Sequence, residues 1–297
     1  MEQSLLVAGS IALDTLEGPY GRVEGELGGS ATYFSMAASL IGPVRLFAPV
    51  GRDASDQVKS LLGGRPTIDA AGLDVVDAPT YRWTASDFRG SNLDLGNQDS
   101  IYDAWQPQLP GGFDGWAFVG SMRVDHQVAA ARQLAACSLL ASDAMRSYLE
   151  AAPDLARDLV GMCSWYFCNA EEFVALGGDP QQPDRFRAAC ALDGLCVKAG
   201  PDGLAAYTDS GSIVIPALTS RKVVDTTGAG DSLAGGTLAR WLQLGGGPDT
   251  LREALVYGVA CASIAIEDIG LRGLARAVPA MLAERVEEVR AALATQR

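Results

Sequence analysis

One histidine, His126, stands in a chain of 297 residues. That scarcity removes two classes of chemistry: a histidine-based zinc centre lacks ligands, and a serine–histidine hydrolase has little support. The six cysteines, Cys137, Cys163, Cys168, Cys190, Cys196 and Cys261, contain no Cys-x-x-Cys pair. Most lie in apolar segments and read as buried thiols, which fits a reducing cytoplasm better than a disulfide framework. Positive charge is scarce too: 23 basic against 36 acidic residues leave a formal charge of −13. With no basic cluster, that balance argues against nucleic acid or an anionic membrane as partner. No apolar run approaches membrane-spanning length without glycine or charge, and Met1–Gly9 lacks the basic start and long apolar region of a secretory signal. A cytoplasmic location is the expectation. The chain has no Gly-x-x-x-x-Gly-Lys-[Ser/Thr], which excludes the common P-loop. It has no Gly-x-Gly-x-x-Gly after the first strand, which counts against a dinucleotide fold.

What is present suffices for a large core, since 48% of the residues are hydrophobic. Buried strands are expected at 5–11, 44–50, 116–119, 138–141, 165–168 and 195–198, with a hairpin at 204–208 and 213–215. Helices are expected at 30–40 (capped by Ser30), 54–62, 125–136, 147–160, 171–176, 228–244, 251–266 and 279–293. Strands alternating with helices predict an α/β fold whose mostly parallel sheet is covered on both faces, with ligands at the strands' carboxyl ends. Two stretches break the rhythm, about 15–27 and 80–105. In the second, Tyr81, Trp83, Phe88, Tyr102 and Trp105 alternate with polar residues, as in short strands with one wet face. No internal repeat or low-complexity segment is present.

The most informative stretch is Val224-Asp225-Thr226-Thr227-Gly228-Ala229-Gly230-Asp231-Ser232. Glycines at 228 and 230 let successive N–H groups point into one concavity at a helix start, a seat for phosphate. A carboxylate beside such a seat repels the ligand, so Asp231 makes little sense as a binding group. It makes sense as a base that removes a proton from a hydroxyl attacking phosphorus. Local chemistry alone also allows a plainer reading, an ordinary helix start with an acid in its first turn.

Asp225-Thr226-Thr227-Gly228-Ala229-Gly230-Asp231-Ser232, followed by Ala234-Gly235-Gly236, resembles the C-terminal signature of the ribokinase-like (PfkB) carbohydrate and nucleoside kinases. The resemblance implies one ribokinase-like domain over 1–297, with residues 15–27 and 80–105 forming a small β-sheet lid, in some relatives a dimer contact. It implies ATP with Mg2+ as cofactor, K+ in many relatives, and a sugar or nucleoside acceptor phosphorylated on a hydroxymethyl group. Asp231 would be the catalytic base, and the amides of Gly228, Ala229 and Gly230 the anion hole. Asp14, after Gly9-Ser10-Ile11-Ala12-Leu13, is similar to the family's Gly-x-x-x-x-Asp acceptor-binding segment, or is simply a loop aspartate. Gly28-Gly29 resembles the family's close-approach glycine pair. Tyr33 stands four residues on, where many sugar kinases carry asparagine; it serves either the acceptor or the core.

Asn169-Ala170-Glu171-Glu172 resembles the Asn-x-x-Glu motif that organises magnesium and its waters; standing alone it reads as a helix cap. Val197-Lys198-Ala199-Gly200-Pro201-Asp202-Gly203 resembles a nucleotide-side loop, with Lys198 and Gly200 near phosphate. Thr226 joins them, and Ser263, on the helix at 251–266, matches a segment near adenine. Asp225 and Thr227 match a monovalent-cation site. Asp143 with Arg146 is a weaker match to Asp-x-Asn-x-Arg, since the asparagine is absent and the arginine comes one position early. A kinase-like sugar binder without turnover is the competing class, and retention of Asp231 with its glycine turn argues against it.

Overall fold

Leu5–Ala8, apolar at every position, forms strand β1 and is buried along its whole length. This computed structural model describes residues 4–88, 92–219 and 221–295. After β1 the chain enters a second, small sheet as the hairpin Ala12–Gly18 (β2) and Gly21–Gly28 (β3). Ser30–Ala38 (α1) is buried at every residue, as apolar and small side chains all round its circumference require. Val44–Gly51 (β4), Ser55–Gly63 (α2) and Ile68–Val76 (β5) follow, then Arg82–Ser86 (β6) and Leu93–Gln98 (β7) of the small sheet. From here strand and helix alternate: Trp116–Val119 (β8), Val124–Gln133 (α3), Leu139–Ser142 (β9), Arg146–Ala151 (α4), Pro153–Met162 (α5) and Trp165–Asn169 (β10). Ala170–Ala175 (α6), Pro183–Ala189 (α7) and Gly194–Lys198 (β11) come next, and then the hairpin Leu204–Thr208 (β12) and Gly211–Ile215 (β13). Ala229–Gln243 (α8), Leu251–Ala265 (α9), Arg272–Arg276 (α10) and Pro279–Thr295 (α11) complete the described chain.

The main sheet has nine strands in the order β13-β12-β11-β10-β9-β8-β1-β4-β5, parallel except at β11–β12 and β12–β13. Strand order reverses between β1 and β8, so a crevice opens beyond their carboxyl ends. Three serines meet there: Ser30 Oγ accepts from the Ser10 amide at 3.1 Å and donates to the Ser121 carbonyl at 2.9 Å. The small sheet runs β3-β2-β6-β7. One apolar core lies on each face of the main sheet, the first around α1, α8 and α9, the second around α3 and α5. Trp241 of α8 packs edge-on against Trp116 and Trp165, each at 5.0 Å between centroids, which seats that helix against the sheet.

The mostly parallel sheet flanked by helices, with a small sheet beside it, agrees with the sequence reading; several details do not. The helix expected over 147–160 is two, because Pro153 starts α5 at a position where no N–H is needed. Ser30 is not a cap: Gly29 holds that place at φ 91°, and the Ser30 hydroxyl is spent on Ser10 and Ser121. Strand β5 and the short helices α7 and α10 escaped the sequence reading. Within 80–105, residues 89–91 lie outside the described residues, and Tyr102 and Trp105 belong to the core. Trp105 Nε1 donates to Asp74 at 2.8 Å, and its ring stacks on His126. Among the described residues no helix is long and apolar enough to cross a membrane.

Candidate active site

Helix α8 begins at the crevice. Its N-cap, Gly228, has φ 70° and ψ 6°, the left-handed region that glycine enters without strain. A β-carbon there would also run into the Tyr33 ring, so Gly228 and α1 are in direct contact. The Ala229 amide makes a long bond to the Thr226 carbonyl, 3.3 Å, and the Ser232 amide bonds Gly228 at 2.9 Å. The turn before the helix is pinned by Asp225, which is fully buried. One carboxylate oxygen accepts from the amide and hydroxyl of Thr227 at 3.1 and 2.7 Å; the other takes the Gly270 amide at 2.8 Å.

Asp231 lies in the first turn of α8, and its Oδ1 is buried without a hydrogen-bond partner among the described residues. Burial pushes its carboxyl up to about 6, against the downward pull of Lys198, with Glu172 adding to the rise. Lys198 ends β11, and a β-carbon on Gly230 would come within 2.6 Å of its Nζ, so the ammonium stands over the helix start. Burial alone would lower the Lys198 ammonium, but the surrounding charges of Glu172, Asp143 and Asp231 outweigh it and hold the group above its ordinary value. Asp143, buried after β9, is itself pushed well up by burial and by Asp231. Its Oδ1 is likewise unpartnered. The structure thus gathers Asp143, Glu172, Lys198 and Asp231 at the carboxyl ends of β9, β10 and β11 and the start of α8. Arg146, by contrast, points elsewhere and pairs with Glu150 at 2.7 Å and Glu171 at 3.1 Å.

On the other side of the crevice stands Asp14. It lies in β2 of the small sheet rather than at the end of the first strand, opposite Glu26 and beside a bulge at Gly25, whose φ is 72°. Its carboxylate is buried, with Oδ1 unpartnered among the described residues, and burial together with Asp225, Asp231 and Glu26 raises its pKa well above the ordinary value. Gly28 packs on that carboxylate with no room for a side chain. At Gly29, with φ 91°, a β-carbon would sit 2.5 Å from the Ser10 carbonyl. Tyr33 is buried in α1 with its hydroxyl unpartnered among the described residues; its ring meets the helix start at Gly228, and Asp14 and Asp231 both act on the phenol. Among the described residues, Asp14 Oδ1, the Tyr33 hydroxyl and Asp231 Oδ1 are thus buried polar atoms without partners, close enough that the two carboxylates act on each other and on the phenol.

Asn169 and Glu172 form a reciprocal capping box at the start of α6, Oδ1 of Asn169 accepting from the Glu172 amide at 2.8 Å and Glu172 Oε2 from the Asn169 amide at 2.7 Å. The helix-cap reading of that motif is therefore met in the geometry, and Asn169 pairs in register with Lys198. Gly200 lies in an exposed turn after β11 at φ 56°. Ser263 is buried and uses its hydroxyl within the fold, donating to the Ala260 carbonyl at 2.7 Å and accepting from Arg285 at 2.9 Å. Two residues that the sequence reading passed over reach the glycine turn from the small sheet, Asp87 to Thr226 and Asn92 to Thr227. No spacing marks either one; only the register of the two sheets brings them there.

The chain matches the model of the pfkB family carbohydrate kinases over residues 113–276. It is 39% identical over 95 residues to an ATP-dependent ribose-1-phosphate kinase of Halopiger xanaduensis, 31% of this chain and 30% of that protein. A nucleoside kinase of Methanocaldococcus jannaschii is 38% identical over 79 residues, 27% of this chain and 25% of its own. The aligned stretches thus span less than a third of these curated relatives. In fold, the chain is similar to the aminoimidazole riboside kinase of Salmonella enterica, with TM-score 0.75, 22% identity and coverage of 95% of this chain and 99% of that one. The fructokinase of Vibrio cholerae O395 gives TM-score 0.75 at 20% identity, covering 96% and 99%. With the family model spanning more than half of its residues, this chain belongs to the pfkB family of carbohydrate kinases.

Proposed function

We propose that the protein transfers the γ-phosphoryl group of ATP to a primary hydroxyl of a sugar, with the ribose of a ribonucleoside as the second reading. The observation that carries this is the helix start: a left-handed Gly228, a cation over Gly230, and at Asp231 a carboxylate whose buried Oδ1 has no partner among the described residues and whose pKa is pushed up to about 6. In this reading the Asp14 carboxylate, packed against Gly28 and Gly29, accepts hydrogen bonds from acceptor hydroxyls, and Tyr33 borders the same seat. Asp231 takes the proton of the attacking hydroxyl as its oxygen bonds to the γ-phosphorus and the bridging oxygen leaves with ADP. The amides of Gly228, Ala229 and Gly230 and the Lys198 ammonium receive the phosphate charge; Thr226 and Gly200 border the nucleotide. The small sheet acts as the lid that excludes water as a rival acceptor.

Magnesium, when bound, neutralises phosphate charge. The residues present suit it through water, since Glu172 has one carboxylate oxygen outside the capping box and the surroundings are oxygen-rich. For potassium, the donors Asp225 and Thr227 are oxygen only, and Asp225 already serves Thr227 and Gly270, so an ion would share oxygens that hold the turn. Ser263 stays with the packing of α9 against α11. The test is incubation with MgATP and a panel of pentoses, hexoses and ribonucleosides, with products identified by mass spectrometry. ADP formed in step with one phosphorylated acceptor supports the reading. No phosphorylated product across the panel sinks it, and leaves the non-catalytic sugar binder.

A further inference from the structure

The small sheet reaches the phosphate-side turn through one carboxylate. Asp87, directly after β6, is buried, and its Oδ2 accepts from both the amide and the hydroxyl of Thr226 at 3.0 and 2.6 Å. Its own amide donates to the Glu17 carbonyl of β2 at 2.7 Å, so sheet backbone carries the carboxylate into place. Asn92, just before β7, adds a second link, donating to Thr227 Oγ1 at 3.2 Å. From the opposite side, Asp225 holds Thr227 and is anchored at Gly270. Residues 225–227 are thus clamped between the small sheet and the turn after α9, immediately ahead of the left-handed Gly228.

We propose that Asp87 is a positioning residue for phosphoryl transfer: by fixing Thr226 it aims the Gly228 and Gly230 amides. Because β6 pairs with β2, which carries Asp14, the same residue ties the acceptor side to the phosphate side. The assignment rests on the kinase reading above, with Asp87 acting through Thr226 rather than on substrate. Its chemistry is testable because both donors converge on one oxygen. Asparagine can offer a carbonyl there and keep both bonds; alanine keeps neither.

Two measurements decide it. In the free protein, Asp87→Ala should speed hydrogen exchange of the Thr226 amide by about tenfold or more, with the amides of β1 and β8 unchanged and Asp87→Asn close to the parent protein. With MgATP and whichever panel acceptor is turned over, Asp87→Ala should lower kcat by roughly 10- to 100-fold, and Asp87→Asn should restore most of it. Should the alanine variant fail to fold, Asp87→Ser, too short to reach Thr226, replaces it. Unchanged exchange at Thr226, or a kcat for the truncated variant within about twofold of the parent, overturns the assignment. So does an asparagine variant as slow as the alanine one despite parent-like exchange. A panel without any turnover refutes the kinase reading instead, and the exchange measurement still decides whether Asp87 holds the turn.

Discussion

Asp231 is governed by influences of different sign: burial raises its pKa most, Lys198 lowers it, Glu172 raises it and its backbone amide lowers it, and the outcome is about 6. In its proposed role as base Asp231 works only when deprotonated, so kcat/KM should rise with pH through an acid limb near 6. Lys198→Met removes the opposing cation and should move that limb to higher pH; a limb that stays put argues against the pairing. Because the folded state binds this proton more tightly than the unfolded chain, stability contributed by the group is present at low pH and is lost as pH rises from about 4 to 6. Asp231→Asn should therefore melt a few degrees higher than the parent at pH 7 while kcat falls by roughly 10²–10⁴. This residue was legible in the sequence because glycines, acid and helix sit in one unbroken string. Asp87 was not: a lone aspartate between Ser86 and Phe88 carries no periodicity, and its partner is 139 positions away.

At the scale of elements, helices α1, α8 and α9 are drawn together by glycines. A β-carbon on Gly235 would approach the Phe34 carbonyl of α1, and one on Gly258 would lie 2.7 Å from the Leu233 carbonyl of α8 and meet Thr237 Oγ1. Gly235 and Gly236, part of the signature that resembles the family's, thus serve close packing rather than phosphate. Gly258→Ala should destabilise by about 1–3 kcal/mol, read as a lower Tm or denaturant midpoint. A variant as stable as the parent would show that the helices can part. Strands with uniformly apolar stretches, such as β8 and β10, could be read from composition. Strand β5 could not, since Asp69, Gly72 and Asp74 interrupt it. Gly72 is required because the Phe47 ring and the Leu46 carbonyl occupy the space a side chain would take. The break between α4 and α5 has its cause in Pro153, where the apolar pattern runs on without interruption.

For the whole molecule, the two halves of the crevice belong to different sheets: Asp14 to the small one, Asp231 and Lys198 to the main one with its helices. Their functions should separate accordingly. Asp14→Ala is expected to raise the acceptor KM by roughly 10- to 100-fold, the loss of a buried hydrogen-bond partner, while the ATP KM barely changes. Equal weakening for both substrates would count against placing Asp14 on the acceptor side. The separation has a consequence for biosynthesis as well. A ribosome releases the β2 carboxylate long before the segment that supplies the glycine turn, and strand β8, which borders the crevice, emerges between them. A ligand that spans both halves of the seat can therefore steady the fold only after the segment through Asp231 has been made, and cannot guide the folding of the earlier strands.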